Sequence, residues 1–266
     1  TENSLTAVNE VLYFAGSTVK HGFELWKADP DSGEPQLVRD INPGNSNSNP
    51  NFLTAIDDTL YFTAGNQFFS QTPIYSSTGT EESTNTIISF LSEHDEATIT
   101  SMTSTDDLLF FRLNTSKYGN ELWVSDRTQK GTHIVKDLCA GCSSAPWPQY
   151  QHLFVHKNQV YFVSRTQSYG HALWRTDGSE SGTHLLHDDE GSFSKSNTYI
   201  LDVLDTSVVF VSGYRGYMSL WKTSNSMSNA IKIHDLKVSN ESGGEISFQR
   251  ESKPPAAANS KYLFFG

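Results

Sequence analysis

Apolar positions in this chain come in short bursts rather than at helical spacing. Runs such as "VLYFAG", "TLYFTAG", "LLFFRL", "QVYFVS", "SVVFVS" and "KYLFFG" have strand length, with Gly, Asn, Asp and Pro gathered between them. No stretch sustains a 3.6-residue period. The pattern predicts many short strands joined by polar turns.

The bursts recur. Phe14, Phe62, Phe111, Phe162, Phe210 and Phe265 are spaced by 48, 49, 51, 48 and 55 residues. A second marker keeps the same phase: "FELWKAD" at Trp26, "NELWVSD" at Trp123, "HALWRTD" at Trp174 and "MSLWKTS" at Trp221. In the second repeat Tyr75 stands where a Trp falls elsewhere. Fourteen residues after each Trp comes an Asp (Asp40, Asp137, Asp188, Asp235), with Ser89 at the equivalent point of the second repeat.

A period of about 48 residues accommodates four strands of about 5–6 residues and their turns. Strand two is the "LYF" run and strand three "ELW". Strand four is "QLVRDI", "HIVKDL" or "AIKIHDL", and strand one precedes them in "FLTAI" or "TSMTS". Consecutive apolar residues point to both faces of the sheet, as in a blade covered by neighbours on each side. The expected fold is an all-β propeller of four-stranded antiparallel blades at about 4–41, 50–91, 97–138, 148–187 and 197–236. A partial sixth repeat occupies 247–266. Half a blade left over predicts that the chain is part of a larger propeller.

"ELWVSDRTQKGTHIVKDL", "ALWRTDGSESGTHLL" and "LVRDINPGNSNSNPNFLTAIDDTLYFTAG" resemble the ELWxxDGT repeat of large secreted tandem-repeat proteins. The resemblance spans essentially the whole chain and is strongest in the first, third and fourth repeats. It implies a propeller-like extracellular module with no established catalytic activity. The second repeat lacks the Trp and the turn Asp, and the fifth has "WKTSNSMSNA" in place of the DGT turn.

Composition narrows the picture. A formal net charge of −11 with scattered Lys and Arg disfavours nucleic acid as a partner. No apolar run reaches the length of a membrane helix, so no membrane insertion is expected within this segment. The only cysteines, Cys139 and Cys142, form a lone C-x-x-C. It lacks the helix-opening context of a redox motif and the second ligand pair of a zinc site, which leaves a local disulfide or two free thiols. Sequons at Asn114 and Asn240 are possible N-glycosylation sites, and with the acidic charge they lean towards an extracellular location.

Candidate chemistry is sparse. Asp29, Asp126 and Asp177 each follow Trp by three residues. "DPDSGEP" faintly resembles a calcium loop but lacks its third acidic position and distal Glu. Recurrence favours turn capping instead, with no other cofactor implied. Trp26, Trp123, Trp174 and Trp221 read as interblade core. Loop aromatics Tyr118, Trp147, Tyr150, Tyr169, Tyr214 and Tyr217 are candidates for glycan or partner contact, or lids on their own blades. His152 and His156 would lie about 13 Å apart on one strand, too far to share a metal. His133, His184, His187 and His234 occupy repeat positions. No catalytic constellation is evident.

These features lead to the expectation of a non-enzymatic extracellular structural or interaction module. Its partners would be other extracellular proteins, copies of itself or glycans. The alternatives are a glycan-binding propeller and a polysaccharide-degrading enzyme.

Overall fold

The structure, a computed structural model, describes residues 5–31, 33–65, 72–90, 97–140, 152–166, 171–188, 197–204, 206–214, 217–224 and 230–237. Two compact units divide the chain, Thr1–Leu153 and Phe154–Gly266. The partial sixth repeat at 247–266 lies outside the described residues.

The first unit holds three sheets. Sheet 1 comprises β1 (Leu5–Val8), β2 (Val11–Ser17), β3 (Phe23–Ala28) and β4 (Gln36–Arg39). Sheet 2 comprises β5 (Asn51–Ile56), β6 (Thr59–Thr63), β7 (Ile74–Ser77) and β8 (Asn85–Ile88). Sheet 3 comprises β9 (Ala97–Ser104), β10 (Leu109–Thr115), β11 (Gly119–Ser125) and β12 (His133–Ile134). The second unit holds sheet 4, β13 (Phe154–His156), β14 (Gln159–Arg165), β15 (His171–Thr176) and β16 (His184–His187). Its sheet 5 comprises β17 (Asn197–Leu204), β18 (Ser207–Tyr214), β19 (Tyr217–Ser224) and β20 (Ile231–Lys237). Every sheet is a four-stranded antiparallel meander in chain order, and no helix occurs among the described residues.

The two sequence markers are cross-strand partners. Phe14 faces Trp26, Phe62 faces Tyr75, Phe111 faces Trp123, Phe162 faces Trp174 and Phe210 faces Trp221. Two large side chains directly opposite on a pleated surface are a unit of sheet stabilisation. Phe62 and Tyr75 stack at 5.5 Å, and Phe210 and Trp221 at 6.4 Å. Turns follow the expected chemistry. Asn9–Glu10 and Lys157–Asn158 have positive φ at both residues, the two-residue hairpin geometry that matches strand twist.

A feature the sequence pattern hid also repeats. Between strands three and four the register slips at Leu25/Trp26, Ile74/Tyr75, Leu173/Trp174 and Leu220/Trp221. The extra residues on the fourth strand are Val38, Ile87, Leu186 and Ile233. In sheet 3 the ladder stops at Ile134, and the Val135 N–H donates to Leu122 O at 2.9 Å. The expected strand "HIVKDL" therefore shrinks to His133–Ile134. A bulge at this step bends the fourth strand and increases its twist.

Sheets within a unit pack by one rule. Val8, Tyr13, Leu25 and Val38 of sheet 1 join Leu60, Phe62 and Ala64 of sheet 2 in one cluster. Tyr61, Ile74 and Ile88 of sheet 2 meet Leu109, Phe111, Leu113 and Trp123 of sheet 3. In the second unit Tyr161, Leu173 and Leu186 of sheet 4 meet Val208 and Phe210 of sheet 5, with Trp221 alongside. Each time, the face bearing the Tyr of "LYF" and the Leu of "ELW" packs on the Phe/Trp face of the following sheet. First-strand hydroxyls tie the same neighbours: Thr6 Oγ1 donates to Leu53 O at 2.8 Å, and Ser104 Oγ to Ala55 O at 2.9 Å.

Candidate functional site

The Asp after each Trp is occupied locally. Asp126 Oδ1 accepts from Thr128 N at 3.0 Å and Thr128 Oγ1 at 2.6 Å. Asp177 Oδ1 accepts from Ser179 N at 2.9 Å and Ser179 Oγ at 2.7 Å. These hydrogen bonds hold both carboxyls below the usual range, the Thr128 hydroxyl leading at Asp126 and the Ser179 N–H at Asp177. Asp29 Oδ1 accepts from Asp31 N at 2.9 Å, and Gly33 at φ 68° closes that turn on Asp29 O, so "DPDSGEP" is a capped turn.

A hydroxyl pair locks the same hairpin in three sheets. Ser77 meets Thr84, Ser125 meets Thr132 and Thr176 meets Thr183, all at 2.8 Å. The later Thr also donates to a carbonyl inside the turn, at 2.7 Å in each copy. Gly131 and Gly182 sit so close to the Asp126 and Asp177 carboxylates that a Cβ would collide with them. The "D…GT" spelling is thus a stereochemical requirement of the turn.

The Trp residues lie within the sheets. Trp123 and Trp174 are buried, whereas Trp26 and Trp221 are half-buried. Tyr118 is half-buried and packs edge-on against Trp123 at 6.0 Å, with Lys117 Nζ 4.6 Å from its ring centre, so it rests on its own hairpin. Trp147, Tyr150, Tyr169, Cys142 and Asn240 lie outside the described residues, and Tyr214 and Tyr217 are placed only as paired backbone. Asn114 belongs to β10, opposite Asn120 and Thr98, with its Oδ1 buried. Cys139 is buried beside Glu121. His187 is sandwiched near Phe210 and Trp221, at 4.9 and 4.5 Å. Among the described residues no group of three or more His, Cys, Asp or Glu is placed to hold a metal.

Three polar groupings went unrecognised in the sequence. The first is Glu24, the Glu of "ELW". It is fully buried and accepts from Ser48 N at 3.0 Å, Ser48 Oγ at 2.6 Å and Ile41 N at 2.9 Å. It clamps the segment that leaves β4. Burial raises its carboxyl despite these bonds.

The second is the same position in sheet 3, with different surroundings. Glu121 Oε1 accepts from Cys139 N at 3.0 Å, while Oε2 is buried without a hydrogen-bond partner. Arg112 lies buried nearby on β10. Burial raises Glu121 to about 7, against the opposing charge of Arg112 and the N–H groups of Cys139 and Leu138. Burial also lowers Arg112 to about 10, against the pull of Glu121. Arg112 breaks the repeat, because Ala15, Thr63, Val163 and Val211 follow the marker Phe elsewhere.

The third is His21, whose Nδ1 lies 3.0 Å from Asp40 Oδ2. Asp40 Oδ2 also accepts from Gly44 N at 3.3 Å. A carboxylate on Nδ1 orients an imidazole and leaves Nε2 to act on another group. Both side chains are partly exposed. The sequence signal was a His five residues before the marker Trp, where the third, fourth and fifth repeats have Tyr118, Tyr169 and Gly216.

No family model and no curated protein sequence matches the chain. Solved structures do. A chain from a study of two prolyl endopeptidases is similar at a TM-score of 0.55 and 11% identity, over 85% of this chain and 34% of that one. The dipeptidyl peptidase 4 of Porphyromonas gingivalis is similar at 0.62 and 9%, over 86% and 38%. An oligogalacturonate lyase in complex with manganese is similar at 0.53 and 10%, over 85% and 62%. The chain therefore spans between about a third and under two thirds of these proteins. Identity at this level speaks for the fold. The finding corrects the expectation of a non-enzymatic structural or interaction module: these similar solved chains are peptidases and a lyase.

Proposed function

We propose that the five sheets are blades of a β-propeller carried by an enzyme, and that this enzyme is a peptide hydrolase. One observation carries the reading. Among the described residues every regular element belongs to a tandem four-stranded sheet, and arrays like them form part of longer peptidase chains. In this reading the repeated aromatic pairs and capped turns build a rigid wall beside a reaction centre, and they do no chemistry themselves. The wall limits which substrates reach that centre, which favours short peptides over folded proteins. The Asp and Gly roles in the turn support membership of the ELWxxDGT repeat family, and the Asn240 sequon with the cysteine pair supports an extracellular location.

The test is hydrolysis of short proline-containing chromogenic peptides by the natural polypeptide that contains residues 1–266. The reading expects turnover of these peptides and little action on a folded protein of matching sequence. Deleting one whole blade should relax that size selection. Absence of peptide turnover across a panel of residue types overturns it.

A further inference from the structure

Glu24 and Glu121 stand at one letter of the repeat, where the other sheets have Pro73, Ala172 and Ser219. Both are buried, and both grip the segment that leaves the fourth strand of their sheet. Glu24 does so completely. Ile41 N at 2.9 Å, Ser48 N at 3.0 Å and Ser48 Oγ at 2.6 Å meet its two oxygens, and Phe23 O takes Ser48 N and Asn49 N alongside. Glu121 does so incompletely. Its Oε1 accepts from Cys139 N at 3.0 Å, with Leu138 N beside it, while Oε2 is buried with no hydrogen-bond partner. The strand that feeds this segment is also short: β12 spans two residues, whereas β4, β8 and β16 span four and β20 seven.

We infer that Glu121 is a proton-operated latch: protonated, it holds residues 136–140 against sheet 3, and once ionised it releases them. A neutral carboxyl needs only the N–H groups at Oε1. Ionisation spreads a full charge over both oxygens, and Oε2 then has neither water nor a donor, which is costly in a buried site. The charged groups that act on Glu121 are Arg112 from β10, which favours the ionised form, and Asp137 of the segment itself, which opposes it. Burial outweighs Arg112 and raises the carboxyl to about 7 from its ordinary 4.5. Moving the segment away admits water to Oε2 and takes Asp137 with it, so the ionised form favours the open arrangement. Glu24 lacks this weakness, because donors already meet both of its oxygens.

Opening is therefore linked to loss of one proton. It becomes easier with pH between the open-state value of 4.5 and the closed-state value of about 7, then levels off. Amide exchange of Leu138 and Cys139 in the natural polypeptide that contains residues 1–266 measures it, with the acceleration by hydroxide divided out. From pH 5 to pH 8 the protection of these two amides should fall about 70-fold. Ile41 and Ser48, at the Glu24 clamp, serve as the reference within the same molecule and should change far less. Glu121→Gln keeps an acceptor for Cys139 N and removes the titration, so protection there should be flat with pH. Equal pH dependence at the two clamps overturns the inference, since the whole unit is then loosening. So does flat protection in the wild type, or protection that rises with pH, which means that the ionised carboxyl holds the segment through Arg112. PH dependence that persists in Glu121→Gln also overturns it, by assigning the titration to another group. If that variant fails to fold, the comparison of the two clamps in the wild type decides alone.

Discussion

Glu121 offers the sharpest test of how the third sheet is held together. Its carboxyl is 2% exposed and raised to about 7, from an ordinary value of 4.5. Burial is the main cause. Asp137 adds to it, and Arg112 with the Cys139 and Leu138 N–H groups opposes it. A carboxyl raised on folding binds its proton more tightly in the folded state. Its contribution is therefore fully present below pH 4.5 and is lost as pH rises through 7. The gap between 4.5 and 7 corresponds to about 3 kcal/mol, at 1.36 kcal/mol per unit.

Glu121→Gln removes the titration while keeping the shape and an acceptor for Cys139 N. Urea unfolding at a series of pH values, followed by tryptophan fluorescence, reads the stability of both proteins. Acidic groups such as Asp126 and Asp177 shift in the opposite sense, but they are common to both proteins and cancel in the difference. Near pH 5 Glu121 is protonated, so the offset between the two proteins is fixed there by packing. From pH 5 to 8.5 the Gln variant should gain on the wild type by up to about 3 kcal/mol. Parallel curves, or a wild type that gains on the variant with rising pH, refute the reasoning. Either result would mean that pairing with Arg112 outweighs burial.

Other substitutions follow from single contacts. Gly131→Ala pushes a methyl into the Asp126 carboxylate and should cost about 1–3 kcal/mol in thermal or urea unfolding, most of it recovered by adding Asp126→Ser. Glu24→Ala strips the acceptor from Ser48 N and Ile41 N in a buried site, and should lose about 2–4 kcal/mol by the same measurement. Phe111→Ala empties the fully buried centre of the cluster joining sheets 2 and 3, with an expected loss of about 3–5 kcal/mol in urea unfolding.

The repeat was legible because each copy advertises itself twice, and those two markers are the residues that face each other across strands two and three. Any drift at Phe14 or Trp26 would spoil a pair, so the pattern survives in single-letter form. The fourth strand was less legible. A bulge inserts one residue and leaves the apolar character of Val38, Val135 or Leu186 unchanged, so "HIVKDL" reads as one strand where only His133–Ile134 is paired. The turn was half legible. Asp126 was readable as a cap, but the need for Gly131 depends on where that carboxylate lies.

The polar groupings were invisible for a different reason. Glu24 and Glu121 occupy the same letter of the repeat, yet one has both oxygens satisfied and the other has a buried oxygen left over. The difference is supplied by residues far along the chain: Ser48 in one case, Arg112 and Cys139 in the other. His21 likewise acquires its carboxylate only when β3 and β4 fold back and bring Asp40 beside it. Repetition hides such sites, because a motif search rewards positions that agree. Chemistry specific to one sheet must come from positions that disagree, and Arg112 and His21 are both of that kind. Departure from the repeat, filtered by burial or by a charged partner, is therefore the better guide to where one sheet does something the other four do not.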